Sequence, residues 1–136
     1  MRFRYAILFL LFVAVAPAAA QRPDYTPFAT GVTDAASLNA VTDARTARAR
    51  QLLDGLLAVR GQRTVANTLA PYDELSGELF TAGAHARLMA ALHPDEAIRR
   101  AGEESNRRVS AFASEIALRR DVFDALKAID RHDLDP

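Results

Sequence analysis

The side chains best suited to chemistry in this sequence are three histidines and a few clustered acids. His85 is followed by ARLM, His93 by PDEA and His132 by DLDP. None of them opens the His-Glu-x-x-His helix, whose two imidazoles hold zinc from one helix face. His93 and Glu96 stand three apart and could offer two ligands. However, Pro94 puts His93 just outside a helix, and no third ligand lies near in sequence. Asp73-Glu74 and Glu103-Glu104 pair their carboxylates only on paper, because adjacent side chains on a helix diverge. Ser76 and Ser105 have no general base at helical spacing, and no glycine-rich phosphate loop occurs. The residues alone therefore assign no catalytic, no cofactor-binding and no metal-ligating position.

The elements that would position these groups are helices. Thr33 or Asp34 can cap a first helix by accepting from a free first-turn N–H. From there Leu38, Val41, Arg45, Ala49, Leu52, Leu56 and Val59 recur three or four apart, and Gly61 can take the left-handed turn that follows. This predicts a helix over 34–60, about 40 Å long at 1.5 Å per residue. Thr64 is a cap for a second helix, whose stripe is Val65, Leu69, Tyr72, Leu75 and Leu79 or Phe80. Pro71 falls inside that stripe, where it removes the donor owed to the Asn67 carbonyl and crowds the same turn. Because the stripe keeps its phase across the proline, one kinked helix is expected, ending at Gly83. The alternative is a separate turn over 64–70 with Pro71 near a new start. A short alanine-rich segment follows over 84–92.

His93-Pro94-Asp95-Glu96 reads as the next helix entry, with the proline in the first turn and two acids at the positive end of the dipole. Ile98, Ala101, Ser105, Val109, Phe112 and Ile116 mark its buried side, with Glu103, Glu104, Arg107 and Arg108 mostly facing water. The pattern breaks at Arg119-Arg120 and resumes at Val122, Phe123, Leu126 and Ile129. One long interrupted helix and two helices meeting near residue 118 fit equally well. No segment alternates with period two, so the fold class is all-α: three to five elongated antiparallel helices.

Of the 136 residues, the first twenty have the layout of a signal peptide. Arg2 and Arg4 precede an uncharged apolar run over 6–16, and Ala-x-Ala ends before Gln21. Eleven apolar residues are too few for a bilayer span, which needs about 20. Export to the periplasm or the exterior is expected, with no membrane attachment after cleavage. Residues 21–33, carrying Pro23, Pro27 and Gly31, form an extended lead-in, and residues 34–136 form the helical region. With no cysteine in the chain, disulfides and thiolate metal sites are excluded. Without Arg2 and Arg4, fifteen basic face seventeen acidic side chains, a net charge of −2. The two signs alternate along the chain, so no face is prepared for nucleic acid.

Three pieces occur in order: R-T-x-x-N-T-L at 63–69, R-A-x-x-E at 100–104, and F-x-x-E-I-x-L-x-x-x-V-F-x-x-L at 112–126. Together they resemble the N-terminal helical region of the thimet oligopeptidase, neurolysin and oligopeptidase A family of zinc metallopeptidases. The resemblance covers about 60–130 and implies an enzyme that cuts short peptides. In that family the helical region walls a deep channel, while zinc sits far downstream on His-Glu-x-x-His with a distant glutamate. The motif's glutamate activates the zinc-bound water. No zinc ligand or catalytic residue can be carried over, because no position here matches that motif. The expectation is thus the N-terminal part of an exported metallo-oligopeptidase, inactive by itself, whose partner is the catalytic half. Two alternatives remain open: a stand-alone exported helical module that binds peptides or a protein, and a bundle that self-associates to cover its apolar stripes. On the leading reading Thr64 caps, Pro71 bends and Asn67 satisfies local backbone.

Overall fold

The computed structural model describes residues 31–130. The expected signal peptide over 1–20, most of the lead-in and His132 lie outside that range. Among the described residues the chain is all-helical: α1 (Ala35–Ala58), a π-helical turn (Val65–Leu69), α2 (Ala70–Leu92), α3 (Glu96–Leu118) and α4 (Arg120–Lys127). No strand forms. One isolated parallel bridge joins Arg63 to Ile129.

Cross-helix pairs define the arrangement. Arg45 meets Glu78 and Arg48 meets Glu74, so α1 and α2 run antiparallel. Arg87 meets Asn106 and Gly102 lies against Ala86 and Ala90, so α2 and α3 also run antiparallel. Asn39 meets Ser105 and Asp43 meets Arg108, which leaves α1 and α3 parallel. The result is a three-helix bundle with α4 folded across one end, where Val122 and Ala125 join the core.

The apolar interior divides in two. The larger cluster brings Leu53 and Leu56 of α1, Leu75 and Leu79 of α2, and Val109, Phe112 and Ile116 of α3 together. The smaller one joins Leu38, Met89 and Ile98 at the other end. Between the two, the buried positions are small or polar: Thr42 on α1, Gly83, His85 and Ala86 on α2, Gly102 and Ser105 on α3. The Thr42 hydroxyl donates to the Leu38 carbonyl at 3.0 Å, and Ser105 donates to Asn39 Oδ1 at 3.1 Å. Buried polar groups are tolerated when bonded in this way.

Several expectations need correction. The stripe of α1 rotates slightly: Leu38, Thr42, Ala49, Leu53 and Leu56 are buried, while Val41 and Leu52 are only partly so. Its one charged member, Arg45, is half-buried and paired with Glu78 at 2.8 Å. The helix stops at Ala58, before Gly61, whose φ of 87° turns the chain. Gly83 does not end the second helix. It sits buried in the interior of α2, 3.6 Å from Val109 on the measure of an added Cβ, so its smallness serves packing rather than termination. The alanine-rich 84–92 segment is the second half of α2. The single kinked α-helix across Pro71 is also replaced. The Ala70 N–H bonds to the Val65 carbonyl, an i→i+5 closure that puts one extra residue in the turn just before the proline. Pro71 then falls in the first turn of α2, where a missing N–H costs nothing. Pro94 lies one residue before the Asp95 cap rather than within α3. At Arg119 an extended residue separates α3 from α4, which selects the two-helix alternative. Phe80 is exposed, and Leu79 carries the stripe.

At Gly102 the backbones of α2 and α3 approach closely. A Cβ placed there would lie 2.7 Å from the Ala86 carbonyl oxygen and 2.7 Å from the Ala90 nitrogen, both backbone atoms. Gly102→Ala must push α3 off α2 and should destabilise by about 1–3 kcal/mol. Gly77, also helical but with nothing within 4 Å of an added Cβ, is the control. Gly77→Ala should stabilise by about 0.5–1 kcal/mol. Denaturant unfolding of the two variants checks this opposite pair of signs.

At the start of α1 the Ser37 N–H donates to Asp34 Oδ1 at 2.7 Å, and the Asp34 N–H donates back to Ser37 Oγ at 3.0 Å. The Ser37 N–H bond, with a smaller contribution from the Ser37 side chain, holds the Asp34 carboxyl below its ordinary value. A carboxyl lowered in the folded state stabilises above its unfolded pKa of 3.8, and that contribution is lost as pH falls through the folded value. Asp34→Asn should therefore flatten the acid limb of a stability-versus-pH curve below about pH 4 and leave its shape near neutrality unchanged.

Candidate functional site

The polar residues singled out in the sequence are largely used up by the fold. Thr64 accepts the Asn67 N–H at 3.2 Å through its hydroxyl, and Asn67 Oδ1 accepts the Thr64 N–H at 2.9 Å. This reciprocal pair is a capping box with Asn in the place usually held by Glu or Gln. Asn67 Nδ2 donates to the Gln62 carbonyl at 3.1 Å, and Thr68 donates its hydroxyl to Asn67 Oδ1 at 2.8 Å. Arg63 reaches back to give Nη1 to the Leu56 carbonyl at 2.8 Å, satisfying one of the orphan acceptors at the end of α1. The Asp130 N–H then donates to the Arg63 carbonyl at 3.1 Å, tying the loop to the chain segment after α4. The side-chain amide and the backbone N–H of Asn67 are thus bonded to residues 62–68.

The candidate metal ligands are not brought together. His85 is buried on α2, whereas His93 follows that helix and its Nδ1 accepts the Asp95 N–H at 3.1 Å. Glu96 is paired with Arg100 on the same helix. No group of three metal-ligating side chains occurs among the described residues. The donor set present here does not fit zinc, so no catalytic step is built on it. Ser76 donates to the Tyr72 carbonyl, and Ser105 is bound to Asn39, so neither is poised as a nucleophile. Glu74 and Glu78 pair with arginines of α1, and Glu104 with Arg107.

What does remain open is a groove between α2 and α3, about 310 Å³ in volume, with no residue of α1 in its lining. Its walls are apolar: Tyr72, Leu75 and Leu79 from α2 face Val109, Ala113 and Ile116 from α3. Small residues, Gly83, Ser110 and Ala117 among them, keep its floor low. Phe80 stands on its rim, 72% exposed. Arg87 closes one end and is the only charged lining residue. Its guanidinium lies over Gly83 and donates to Asn106 Oδ1 at 3.3 Å. The sequence stripe pointed to the core face of α2 but gave no sign of this second face. The one sequence signal for it is Phe80 beside Leu79, since a single stripe needs only one of the two.

Compared with known proteins, the chain matches no family model, no curated protein and no solved structure.

The cap at Thr64 is testable by a double-mutant cycle. Thr64→Ala alone should cost about 1 kcal/mol. Asn67→Ala should cost a similar amount, and the double variant should cost less than the two losses combined, because each removes part of one reciprocal pair. Strict additivity in chemical denaturation would mean that the two bonds act independently.

Proposed function

We propose that this chain is the helical N-terminal region of an exported zinc metallo-oligopeptidase and forms part of the wall of its peptide channel. The observation that supports this reading is where the three resembling pieces fall. Positions 63–69 make the knot that ends α1 and starts the π-helical turn. Positions 100–104 enclose Gly102 and its backbone contact with α2. In 112–126, Phe112, Ile116 and Val122 are core residues on both sides of the α3–α4 break. All three pieces serve to build one bundle, as a scaffold role requires. The zinc, the water it activates and the general base belong to a catalytic half with which this region would pack, and short peptides are the substrates of the whole.

The open α2–α3 groove favours a second reading, a stand-alone exported helical module that binds a peptide or protein. Sequencing the transcript and the adjoining DNA separates the two. A downstream stretch encoding His-Glu-x-x-His in any frame is the expected result, and an unrelated gene there would remove the peptidase reading. On that reading the purified chain should hydrolyse a quenched-fluorescence peptide only at background rate. Chelator-sensitive cleavage by this chain alone would overturn the assignment of catalysis to another segment.

A further inference from the structure

We propose that the groove between α1 and α3 binds a carboxylate group, held between the guanidiniums of Arg50 and Arg108. The groove has a volume of about 300 Å³ and no residue of α2 in its lining, which is Asp43, Thr46, Ala47 and Arg50 from α1 and Arg108 from α3. Such a site would serve a channel wall and a stand-alone module alike.

Arg50 is held in place without being neutralised. Its Cζ lies 4.0 Å from the centroid of the Phe112 ring, and Phe112 is a core residue only 4% exposed. Stacking on a fixed ring occupies the face of the guanidinium and leaves the N–H donors along its edges available. No carboxylate among the described residues pairs with Arg50, whereas its neighbours on α1, Arg45 and Arg48, are matched by Glu78 and Glu74. An arginine loose in solvent must give up rotamer freedom to hold an anion. A stacked one has already given up much of it.

Arg108 stands at the other side of the groove. It reaches Asp43 at 3.2 Å, Asn39 at 3.3 Å and Ser105 at 3.4 Å, in each case through Nη2. These three long contacts share the hydrogens of one nitrogen, so Nε and Nη1 keep their donors for a further acceptor. Thr46 supplies no donor, because its hydroxyl already donates to the Thr42 carbonyl at 2.9 Å. Ala47 leaves the space between the two arginines open.

Charge selects the class of ligand. Two guanidiniums and the Asp43 carboxylate leave the lining with a net charge of +1, which one monoanion neutralises. A carboxylate is planar and accepts two parallel N–H bonds from one guanidinium edge. A phosphate dianion would bring surplus negative charge beside Asp43. Two sources supply such a carboxylate: the C-terminus of a peptide, and an Asp or Glu side chain within one.

The test follows the arginine Nε–H signals of the isotope-labelled chain by NMR. The probes are an N-acetylated alanine tripeptide with a free C-terminus, the same peptide amidated, an amidated version with Glu at its centre, and inorganic phosphate. The free-carboxylate and Glu peptides should shift Arg50 and Arg108 and leave Arg48 in place, and the amidated alanine peptide should shift none. A stronger response to the first identifies a chain end as the ligand, and a stronger response to the second identifies an acidic side chain. Arg50→Gln should weaken binding about tenfold. Asp43→Asn should tighten it several-fold, a gain that misfolding cannot produce. Absence of shifts, equal shifts at Arg48, tighter binding of phosphate than of either carboxylate, or an unchanged affinity in Asp43→Asn would each overturn the proposal.

Discussion

The spacing of α2 and α3 is set by backbone meeting backbone at Gly102. Where helices cross over a glycine, no side chain stands between them, and the chains approach to van der Waals contact. Elsewhere along the same pair, Leu79, Val109 and Ile116 hold the axes apart by the width of their side chains. This difference explains why the interior is two clusters rather than one column. The middle layer has no room for large apolar groups, so Ala86 and Gly102 occupy it beside Thr42 and Ser105, whose hydroxyls donate to the Leu38 carbonyl and to Asn39 Oδ1. One tight contact thus accounts for the divided core.

The helix ends are the second organising element. Four orphan donors at the start of each helix and four acceptors at its end must find partners. Here Asp34 and Ser37 serve α1, Thr64 and Asn67 serve the π-helical turn, and Asp95 serves α3 by accepting the Ala97 N–H at 2.7 Å. Arg63 supplies the end of α1, and Arg99 donates to the carbonyls of His93 and Pro94 between α2 and α3. Each of these polar residues is employed in turning the chain. The extended Arg119 does the same between α3 and α4, where it pairs with Asp121 at 2.6 Å. That bond lowers the Asp121 carboxyl and raises the guanidinium.

How much of this could be read beforehand depended on whether the cause was local. Asp34 and Thr64 could be recognised as caps because a cap needs only a short polar side chain followed by helix formers. The α3 stripe was read well, since Ile98, Val109, Phe112 and Ile116 lie on a strongly one-sided helix. The α2 stripe was read less well. That helix is covered by two neighbours and lines a groove, so apolar residues surround it and period alone does not identify a single face. Gly83 reads as a stop in the sequence because a glycine near the end of a pattern usually ends a helix. Its actual use, room for Val109 and for the Arg87 guanidinium, depends on a neighbour 26 residues away that periodicity does not reveal. The i→i+5 closure before Pro71 was missed for a related reason. A proline signals that a bond is lost, without saying whether the chain bends or takes in an extra residue.

The distribution of charge bears on what such a bundle can do. Its acids are largely committed: Glu74 and Glu78 to α1, Asp43 to Arg108, Asp121 and Asp124 to the arginines at the α4 entry. Surface pairs of this kind add little stability, but they fix which faces may meet. General acid–base work needs a titratable group that can exchange its proton in a cleft. The lining of the groove between α2 and α3 has no carboxylate and no imidazole, only Arg87 and hydroxyls. A guanidinium keeps its proton at any ordinary pH, so it can attract and orient a carboxylate but cannot transfer the proton. The groove is consequently equipped for recognition and for holding, which is what either a channel wall or a docking module requires of it.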